Sequence, residues 1–229
     1  MSESSTYLDS EHLRPDGSLA KIHTKWASLD VDAAVQLAKA AQTITSSGAL
    51  ATLVYDKWTQ SISEHVERAL VDRGIGVRHY QVPEGRDGDP PVADDESVAA
   101  LERAMESDGG NLAVAVGAGT INDLTKMASH RLHRPYLAYG TAASMNGYSS
   151  GIAAIYVKGL KSTVPATPAL GVFADPEVVA TAPSELTLAG LGDLCSKPFA
   201  TADAAVAARA SGMDPWRLPA AIVESSFEK

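Results

Sequence analysis

The sequence has a single cysteine, Cys195, among its 229 residues. One cysteine excludes a disulfide within the chain and a zinc cluster built from cysteine thiolates, and it fits a reducing compartment. No stretch has the ~20 continuous apolar residues that a membrane-spanning helix needs. The polar start, Met1 to Tyr7, has neither the basic segment nor the apolar run of a secretory leader. These absences predict a soluble cytoplasmic protein that does not span a membrane.

Basic residues are also scarce, with 19 lysines and arginines against 28 aspartates and glutamates. The net charge of -9 and the pI near 5.1 argue against nucleic acid or an anionic membrane surface as a partner. The hydrophobic fraction of 45% is ordinary for a globular protein with a sizeable core. Small molecules are therefore the expected ligands.

What the sequence does contain is a regular alternation of strand-like and helix-like segments between Val31 and Asp175. This order predicts an α/β protein with a Rossmann-like parallel sheet, helices on both faces, and ligands at the carboxyl ends of the strands. The predicted strands are 50–55, 76–82, 112–116, 135–138 and 172–175. The predicted helices are 31–45, 61–73, 94–107 and 121–132, and a β-hairpin is predicted within 152–164.

Both ends of the sequence differ from this alternating region. Residues 1–26 are polar and mixed, and we predict an N-terminal arm that packs weakly or lies over a neighbour. After Pro183 the composition becomes Ala-rich and helical. We therefore predict a dinucleotide-binding α/β domain at 1–183 and the beginning of an all-α domain at 184–229.

A turn with two glycines, Gly117 and Gly119, follows the predicted strand at 112–116. Glycine permits a tight turn, and Thr120 or Asn122 can begin a helix whose first N–H groups would face an anion. The spacing matches neither the G-x-G-x-x-G fingerprint nor the P-loop, so an ordinary strand-to-helix turn is an equal alternative on this motif alone.

An acidic residue, Asp56, directly follows the predicted strand at 50–55. In dinucleotide-binding folds a carboxylate at this edge of the sheet accepts hydrogen bonds from the adenosine ribose. A solvated aspartate that closes a strand is the equal alternative before the rest of the sequence is considered.

Four motifs, the last of them in two parts, point to one family. They are Gly-Ala-Gly-Thr-Ile-Asn-Asp-Leu-Thr-Lys at 117–126, Thr-Ala-Ala-Ser-Met-Asn-Gly-Tyr-Ser-Ser at 141–150, Gly-Leu-Lys-Ser-Thr-Val-Pro-Ala at 159–166, and Ala-Asp-Pro-Glu-Val-Val with Leu-Ala-Gly-Leu-Gly-Asp-Leu-Cys-Ser-Lys-Pro at 174–179 and 188–198. Together they resemble the glycerol-1-phosphate dehydrogenases. That family belongs to the metal-dependent, iron-containing alcohol dehydrogenase superfamily, with glycerol dehydrogenase and, more distantly, 3-dehydroquinate synthase.

The resemblance implies a site for NAD(H) or NADP(H). The glycine turn would bind the pyrophosphate, with Ala118 in place of the family's middle glycine, and the hydroxyl-rich loop would contact the nicotinamide. Asp56 would hold the adenosine ribose and favour NAD, because its charge repels a 2′-phosphate unless Lys57 offsets it. The implied cofactor-binding residues are Asp56, Gly117, Ala118, Gly119, Thr120, Ile121, Thr141, Ser144 and Ser150.

The resemblance also implies a reaction, the interconversion of sn-glycerol 1-phosphate and dihydroxyacetone phosphate by metal-assisted hydride transfer. Asp193 would be a catalytic, substrate and metal residue, with Zn, Ni or Fe as the divalent metal. Relatives commonly carry Asp where this sequence has Asn146, the second catalytic and substrate candidate. Lys158 and Lys161 are candidate contacts for the substrate phosphate, or solvated charges at a hairpin. Glycerol dehydrogenase-like polyol oxidation and a non-catalytic nucleotide-binding module are the alternatives.

The family's other two metal ligands are histidines in a C-terminal helical domain, but every histidine here precedes Asp193. Only His130 and His133 have ligand-like spacing, and we interpret them as surface residues. One carboxylate without imidazoles predicts no tight metal binding. We therefore expect a complete cofactor domain followed by a truncated metal-binding domain, with an exposed apolar face at 201–210 that favours a homo-oligomer.

Overall fold

Within residues 7–45 and 48–227, which the computed structural model describes, strands and helices alternate along most of the chain. In order they are β1 (Glu11–Leu13), β2 (Leu19–Lys21), β3 (Trp26–Leu29), α1 (Ala33–Ile44), β4 (Leu50–Tyr55), α2 (Gln60–Val71), β5 (Gly76–Gln81), α3 (Asp95–Asp108), β6 (Leu112–Gly117), α4 (Gly119–Arg131), β7 (Tyr136–Gly140), β8 (Ile152–Val157), β9 (Leu160–Pro165), β10 (Gly171–Ala174), α5 (Pro176–Ala180), α6 (Ser184–Ala210) and α7 (Arg217–Phe227).

Six strands form a parallel sheet in the order β3-β10-β7-β6-β4-β5. The chain leaves β4 on one side to form β5 and returns on the other side to form β6. In parallel sheets, ligands bind in the crevice outside the carboxyl ends of the strands where the order reverses in this way. Asp56 and the glycine turn follow the two strands that border this crevice.

Helices cover both faces of the sheet, which explains why its central strands are almost entirely apolar. In β6, Leu112, Val114 and Val116 pack in the core on the side of α1 and α2. Ala113 and Ala115 point to the opposite core, which includes residues of α3 and α4. Because these two side chains are small, α4 lies close to the sheet and is buried over much of its surface.

The predicted α/β fold class is confirmed. β4 has the predicted bounds, and the other elements predicted between residues 31 and 175 differ at their ends by one or two residues. The start of α4 needs a correction, because the helix begins at Gly119 with Ala118 as its N-cap rather than at Thr120 or Asn122. The backbone of Ala118 is extended, so the chain has already turned into the helix at Gly119.

The N-terminal segment has more regular structure than the predicted arm. β1 and β2 pair as an antiparallel hairpin, and β3 is an edge strand of the main sheet that pairs with β10. Thr24 is buried, and its hydroxyl donates to the carbonyl of Ala169 at 2.8 Å. These strands are short and contain polar residues, so the spacing of apolar residues along the sequence did not predict them. Residues 1–6 of the predicted arm lie outside the described residues.

The C-terminal segment is helical, as predicted. α6 has 27 residues, includes Pro198, and has no buried residue in the described structure. Phe199 and Val206 are 75% and 69% exposed. The apolar face expected at 201–210 is therefore exposed, while the domain boundary near residue 183 stays a prediction. No helix among the described residues is both long and apolar enough to cross a membrane.

Candidate functional site

α4 begins at the glycine turn, and in the described structure no side chain caps its N-terminus. The first N–H groups of a helix have no partner within the helix, and its dipole places partial positive charge there. Ala118, Gly119 and Thr120 are half-buried, so a ligand can reach these groups. This end of α4 is therefore suited to bind a phosphate.

The two glycines of the turn have different structural roles. A Cβ on Gly117 would lie 2.7 Å from the Ile121 side chain, so a larger residue would displace the start of α4. A Cβ on Gly119 would lie 3.5 Å from the Met145 sulfur, which is an ordinary contact. Gly117 is thus required by close packing, whereas a methyl group at Gly119 would fit without a steric clash. Ala118 has a methyl group where the family has a glycine, and this half-buried position accommodates it.

Asp56 shapes the turn that follows β4. Its Oδ1 atom accepts hydrogen bonds from the backbone N–H groups of Trp58 at 3.0 Å and Thr59 at 2.9 Å. The Thr59 hydroxyl lies 3.0 Å from the Val116 carbonyl, at the end of the neighbouring strand β6. This contact joins the Asp56 turn to the strand that carries the glycine turn.

Lys57, the cation beside Asp56, already has a partner. Its Nζ atom forms an ion pair with Glu84, which follows β5, and lies 4.8 Å from the centroid of the Trp58 ring. Lys57 is therefore directed to the Glu84 carboxylate and does not pair with Asp56.

The hydroxyl-rich loop between β7 and β8, residues 141–151, lies against the glycine turn. We call it the cofactor loop because the family resemblance implies that it contacts the nicotinamide. The backbone N–H of Thr141 donates to the Gly117 carbonyl at 3.3 Å. The Tyr148 hydroxyl donates to the Ala142 carbonyl at 2.8 Å and holds the first part of the loop. Burial raises the pKa of Tyr148 to about 12, so this hydroxyl stays protonated at neutral pH. Ser144 is half-buried and lies in the sequence between Ala142 and Tyr148, the partners of the second contact.

Lys126 holds the other end of the cofactor loop from below. Its side chain is fully buried, and Nζ donates to the carbonyls of Gly147 and Ile152, both at 2.9 Å, and to the Ser150 hydroxyl at 3.1 Å. Burial lowers the pKa of Lys126, while the nearby Asp123 carboxylate raises it. Sequence reasoning did not assign a role to this residue, although it is the last residue of the 117–126 motif.

α6 meets the middle of the cofactor loop at Asp193. The Oδ2 atom accepts the backbone N–H of Asn146 at 2.9 Å, and Oδ1 accepts Lys197 Nζ at 2.9 Å. The Lys197 and Asn146 hydrogen bonds both hold the pKa of Asp193 below its usual range. A Cβ on Gly190 would lie only 1.7 Å from the Ala143 carbonyl oxygen, so the helix and loop backbones are in direct contact.

The described residues do not form a complete site for a divalent metal. Both oxygens of Asp193 accept hydrogen bonds, and residues 7–45 and 48–227 contain no cluster of three His, Cys, Asp or Glu side chains suited to a metal ion. His130 donates to or accepts from the Thr167 hydroxyl at 2.9 Å near the far end of α4, about 17 Å along the helix from Gly119. His133 follows that helix end and has a positive φ angle. The structure thus leaves Asp193 without histidine partners.

The two candidate phosphate-binding lysines belong to the β8–β9 hairpin. Lys158 occupies its two-residue turn, and its backbone N–H donates to Asp95 Oδ2 at 3.3 Å. A cavity of about 650 Å³ is lined by Lys158 and by three carboxylates at the start of α3, those of Asp94, Asp95 and Glu96. Lys161 is paired with Tyr156 across the hairpin. The structure therefore surrounds Lys158 with acidic residues and not with those of the glycine turn.

Solved structures show the same fold at low sequence identity. Glycerol dehydrogenase from Schizosaccharomyces pombe superposes with a TM-score of 0.64 at 20% identity, covering 76% of this chain and 43% of that chain. An iron-containing alcohol dehydrogenase from Thermotoga maritima gives a TM-score of 0.65 at 15% identity, with 77% and 52% covered. These similarities establish the Rossmann-like arrangement of this chain.

Curated relatives are more similar in sequence. A protein named glycerol-1-phosphate dehydrogenase [NAD(P)+] from Bacillus velezensis is 32% identical over 155 residues, which cover 65% of this chain and 38% of the relative. One of the same name from Cenarchaeum symbiosum is 40% identical over 111 residues, 48% of this chain and 31% of the relative. The chain thus spans less than two fifths of the length of these relatives. The sequence profile described as iron-containing alcohol dehydrogenase matches residues 21–183. This match covers more than half of the sequence, and the chain belongs to the iron-containing alcohol dehydrogenase family.

Proposed function

We propose that this chain is the NAD(P)-binding part of a glycerol-1-phosphate dehydrogenase. The observation that carries the proposal is the uncapped N-terminus of α4, which opens at the reversal point of the sheet and faces the cofactor loop. The names of the two relatives, which specify glycerol 1-phosphate and NAD(P)+, supply the substrate and cofactor of the proposal.

In this proposal the pyrophosphate binds the N–H groups of the first turn of α4, because helix N-termini favour anions. The ribose next to adenine lies at Asp56, whose Oδ1 atom is already used in the turn. Its second oxygen would accept the ribose hydroxyls. Thr141 and Ser144 would contact the nicotinamide side of the cofactor, whereas the Ser150 hydroxyl already accepts a hydrogen bond from Lys126.

The proposed reaction oxidises the secondary alcohol of glycerol 1-phosphate to the ketone of dihydroxyacetone phosphate. NAD(P)+, when bound, would supply the acceptor for the C2 hydride and its two electrons, and the hydroxyl proton would be released. Asn146 and Asp193 are the proposed substrate-side residues, and Asp193 is proposed as one metal ligand. Because the described residues do not complete a metal site, the roles assigned here are confined to binding and orientation.

A charge-only substitution tests the cofactor site. Thr120→Asp places a carboxylate in the first turn of α4, where it stabilises the helix dipole but repels a pyrophosphate, and Thr120→Asn is its uncharged match. NADH fluorescence titration of the 229-residue chain should give a Kd at least tenfold higher for Thr120→Asp than for Thr120→Asn, with no loss of thermal stability. Equal affinities would contradict binding at this helix, and no NADH or NADPH binding by the unsubstituted chain would refute the cofactor proposal.

A non-catalytic nucleotide-binding module is the second candidate, and the incomplete metal site favours it. It predicts NADH binding without turnover of glycerol 1-phosphate or glycerol at saturating Zn, Ni or Fe. Turnover by this chain would refute it, and preference for glycerol over glycerol 1-phosphate would favour the polyol dehydrogenase alternative. The cytoplasmic location and homo-oligomer predicted from the sequence stay predictions.

Lys161 is proposed to contact the substrate phosphate, with Lys158 as a weaker candidate because of its acidic neighbours. In a chain that turns over, Lys161→Ala should raise the KM for glycerol 1-phosphate about tenfold and leave the KM for glycerol unchanged. The exposed Lys39→Ala on α1 is the matched control. Equal changes for both substrates would count against the phosphate contact.

A further inference from the structure

Lys126 is a buried lysine, and it belongs to the same 117–126 segment as the glycine turn. Lysines in phosphate-binding loops usually reach the phosphate directly. The Lys126 side chain is 0% exposed, so a ligand in the crevice has no access to its ammonium group. A different role is therefore needed to explain why a charge is kept inside the protein.

The hydrogen bonds of Lys126 indicate that role. An ammonium group has three N–H donors, and Lys126 has three acceptors within 2.9–3.1 Å, the Gly147 carbonyl, the Ile152 carbonyl and the Ser150 hydroxyl. All three acceptors lie in one short segment at the end of the cofactor loop. Asp123, one turn earlier on α4, lies 3.4 Å from Nζ and also accepts the Ala154 N–H at 3.1 Å through its other oxygen.

This arrangement makes α4 a common support for two parts of the site. Its first turn presents N–H groups to the crevice, and its second turn, through Lys126, fixes the loop that faces them. Replacing Lys126 by an apolar residue would remove the charged donor that the Gly147 and Ile152 carbonyls share. The Gly147 carbonyl would keep the Ser150 N–H at 3.2 Å, and the single Ser150 O–H, which lies 2.9 and 3.0 Å from the two carbonyls, could serve only one of them. The end of the loop would lose three charge-assisted hydrogen bonds and would be held less firmly.

We propose that Lys126 is a positioning residue that holds the cofactor loop at the nicotinamide side of the site without touching the cofactor. The inference rests on the proposed cofactor site for its functional consequence, whereas its structural part does not depend on that site. Lys126 sets the position of Gly147 and Ser150, and the neighbouring contact between Asn146 and Asp193 depends on the same segment.

Hydrogen exchange of the 229-residue chain without cofactor tests the structural part. Lys126→Met retains the length of the side chain and removes its charge and donors, and Lys39→Met is the matched exposed control. Exchange of peptides covering 141–152 should accelerate at least tenfold in Lys126→Met, while peptides of β4 and β6 keep their protection. Exchange in 141–152 equal to that of the control would overturn the proposal.

NADH titration of the same variants tests the functional part. Lys126→Met should raise the Kd at least tenfold, and Lys39→Met should leave it unchanged. If the original chain binds NADH and Lys126→Met binds it equally well, the positioning role is refuted while the cofactor site stands. If the original chain does not bind NADH, the cofactor proposal fails and the exchange result alone decides the loop contact. Should Lys126→Met not fold, Lys126→Gln removes the charge while keeping a polar side chain, and exchange in its 141–152 peptides equal to that of Lys39→Gln would overturn the proposal.

Discussion

Asp193 and Asn146, 47 residues apart in sequence, are joined by a hydrogen bond of 2.9 Å from the Asn146 backbone N–H to Asp193 Oδ2. The donor is a backbone group, so the contact is available whichever side chain occupies position 146. It brings the aspartate of α6 to the tip of the cofactor loop, and Lys197 holds the other carboxylate oxygen. The two candidate substrate residues are thereby adjacent.

The first prediction concerns the titration of Asp193. Its pKa is lowered, first by the Lys197 hydrogen bond and then by the Asn146 N–H. A lowered folded-state pKa contributes stability above the unfolded value of 3.8 and loses it as the pH falls through the folded value. The contact should therefore be intact at neutral pH. A ¹³C NMR titration should give a pKa below 3.8 that rises in Lys197→Met, and an unchanged pKa in that variant would show that Lys197 is not the main cause.

The second prediction compares two glycines of α6. Gly190→Ala should weaken the packing of the helix on the loop, since its Cβ would meet the Ala143 carbonyl at 1.7 Å, and overpacking typically costs about 1–3 kcal/mol. Gly192→Ala is the control because a Cβ there meets nothing within 4 Å. Thermal unfolding should show a lower Tm for Gly190→Ala and an equal or higher Tm for Gly192→Ala. A similar Tm for both variants would contradict the close contact.

The third prediction addresses the choice between NAD and NADP at Asp56. Asp56→Asn keeps the Oδ1 acceptor of the turn but removes the charge proposed to bind the ribose and to repel a 2′-phosphate. The ratio of NADPH to NADH affinity should rise about tenfold or more, since a hydrogen bond to a charged group contributes roughly 1.5–3 kcal/mol. Fluorescence titration with both nucleotides measures this ratio. If the ratio is unchanged, the ribose does not bind at Asp56.

The fourth prediction concerns Glu84, the partner of Lys57. Glu84→Gln should release the lysine towards a 2′-phosphate and improve NADPH affinity about two- to fivefold, in the range expected for an exposed ion pair. NADH affinity should change little, and raising the ionic strength should reduce the gain. Glu102→Gln, which breaks the surface pair with Arg131 at 3.1 Å, is the matched control. A gain of the same size in that control would show a general charge effect.

The local sequence pattern was sufficient to predict the strands of the main sheet other than β3, because strands and helices differ in length and in the spacing of apolar residues. β4 was predicted at its observed bounds, and the glycine turn was predicted at the carboxyl edge of β6. The edge strand β3 was not predicted, because four residues with an alternating burial pattern give too weak a signal and its partner β10 lies about 145 residues later.

The sequence by itself determined the α/β class, the turn and, through family motifs, the candidate residues. Only the tertiary structure decided which of them meet. Asp193 reaches Asn146, Lys126 lies beneath the cofactor loop, Lys57 pairs with Glu84, and Lys158 faces acidic residues. The physical reason is that periodicity reflects the burial of one element at a time. Hydrogen bonds and ion pairs between distant segments depend on how the sheet order and the helix packing bring those segments together.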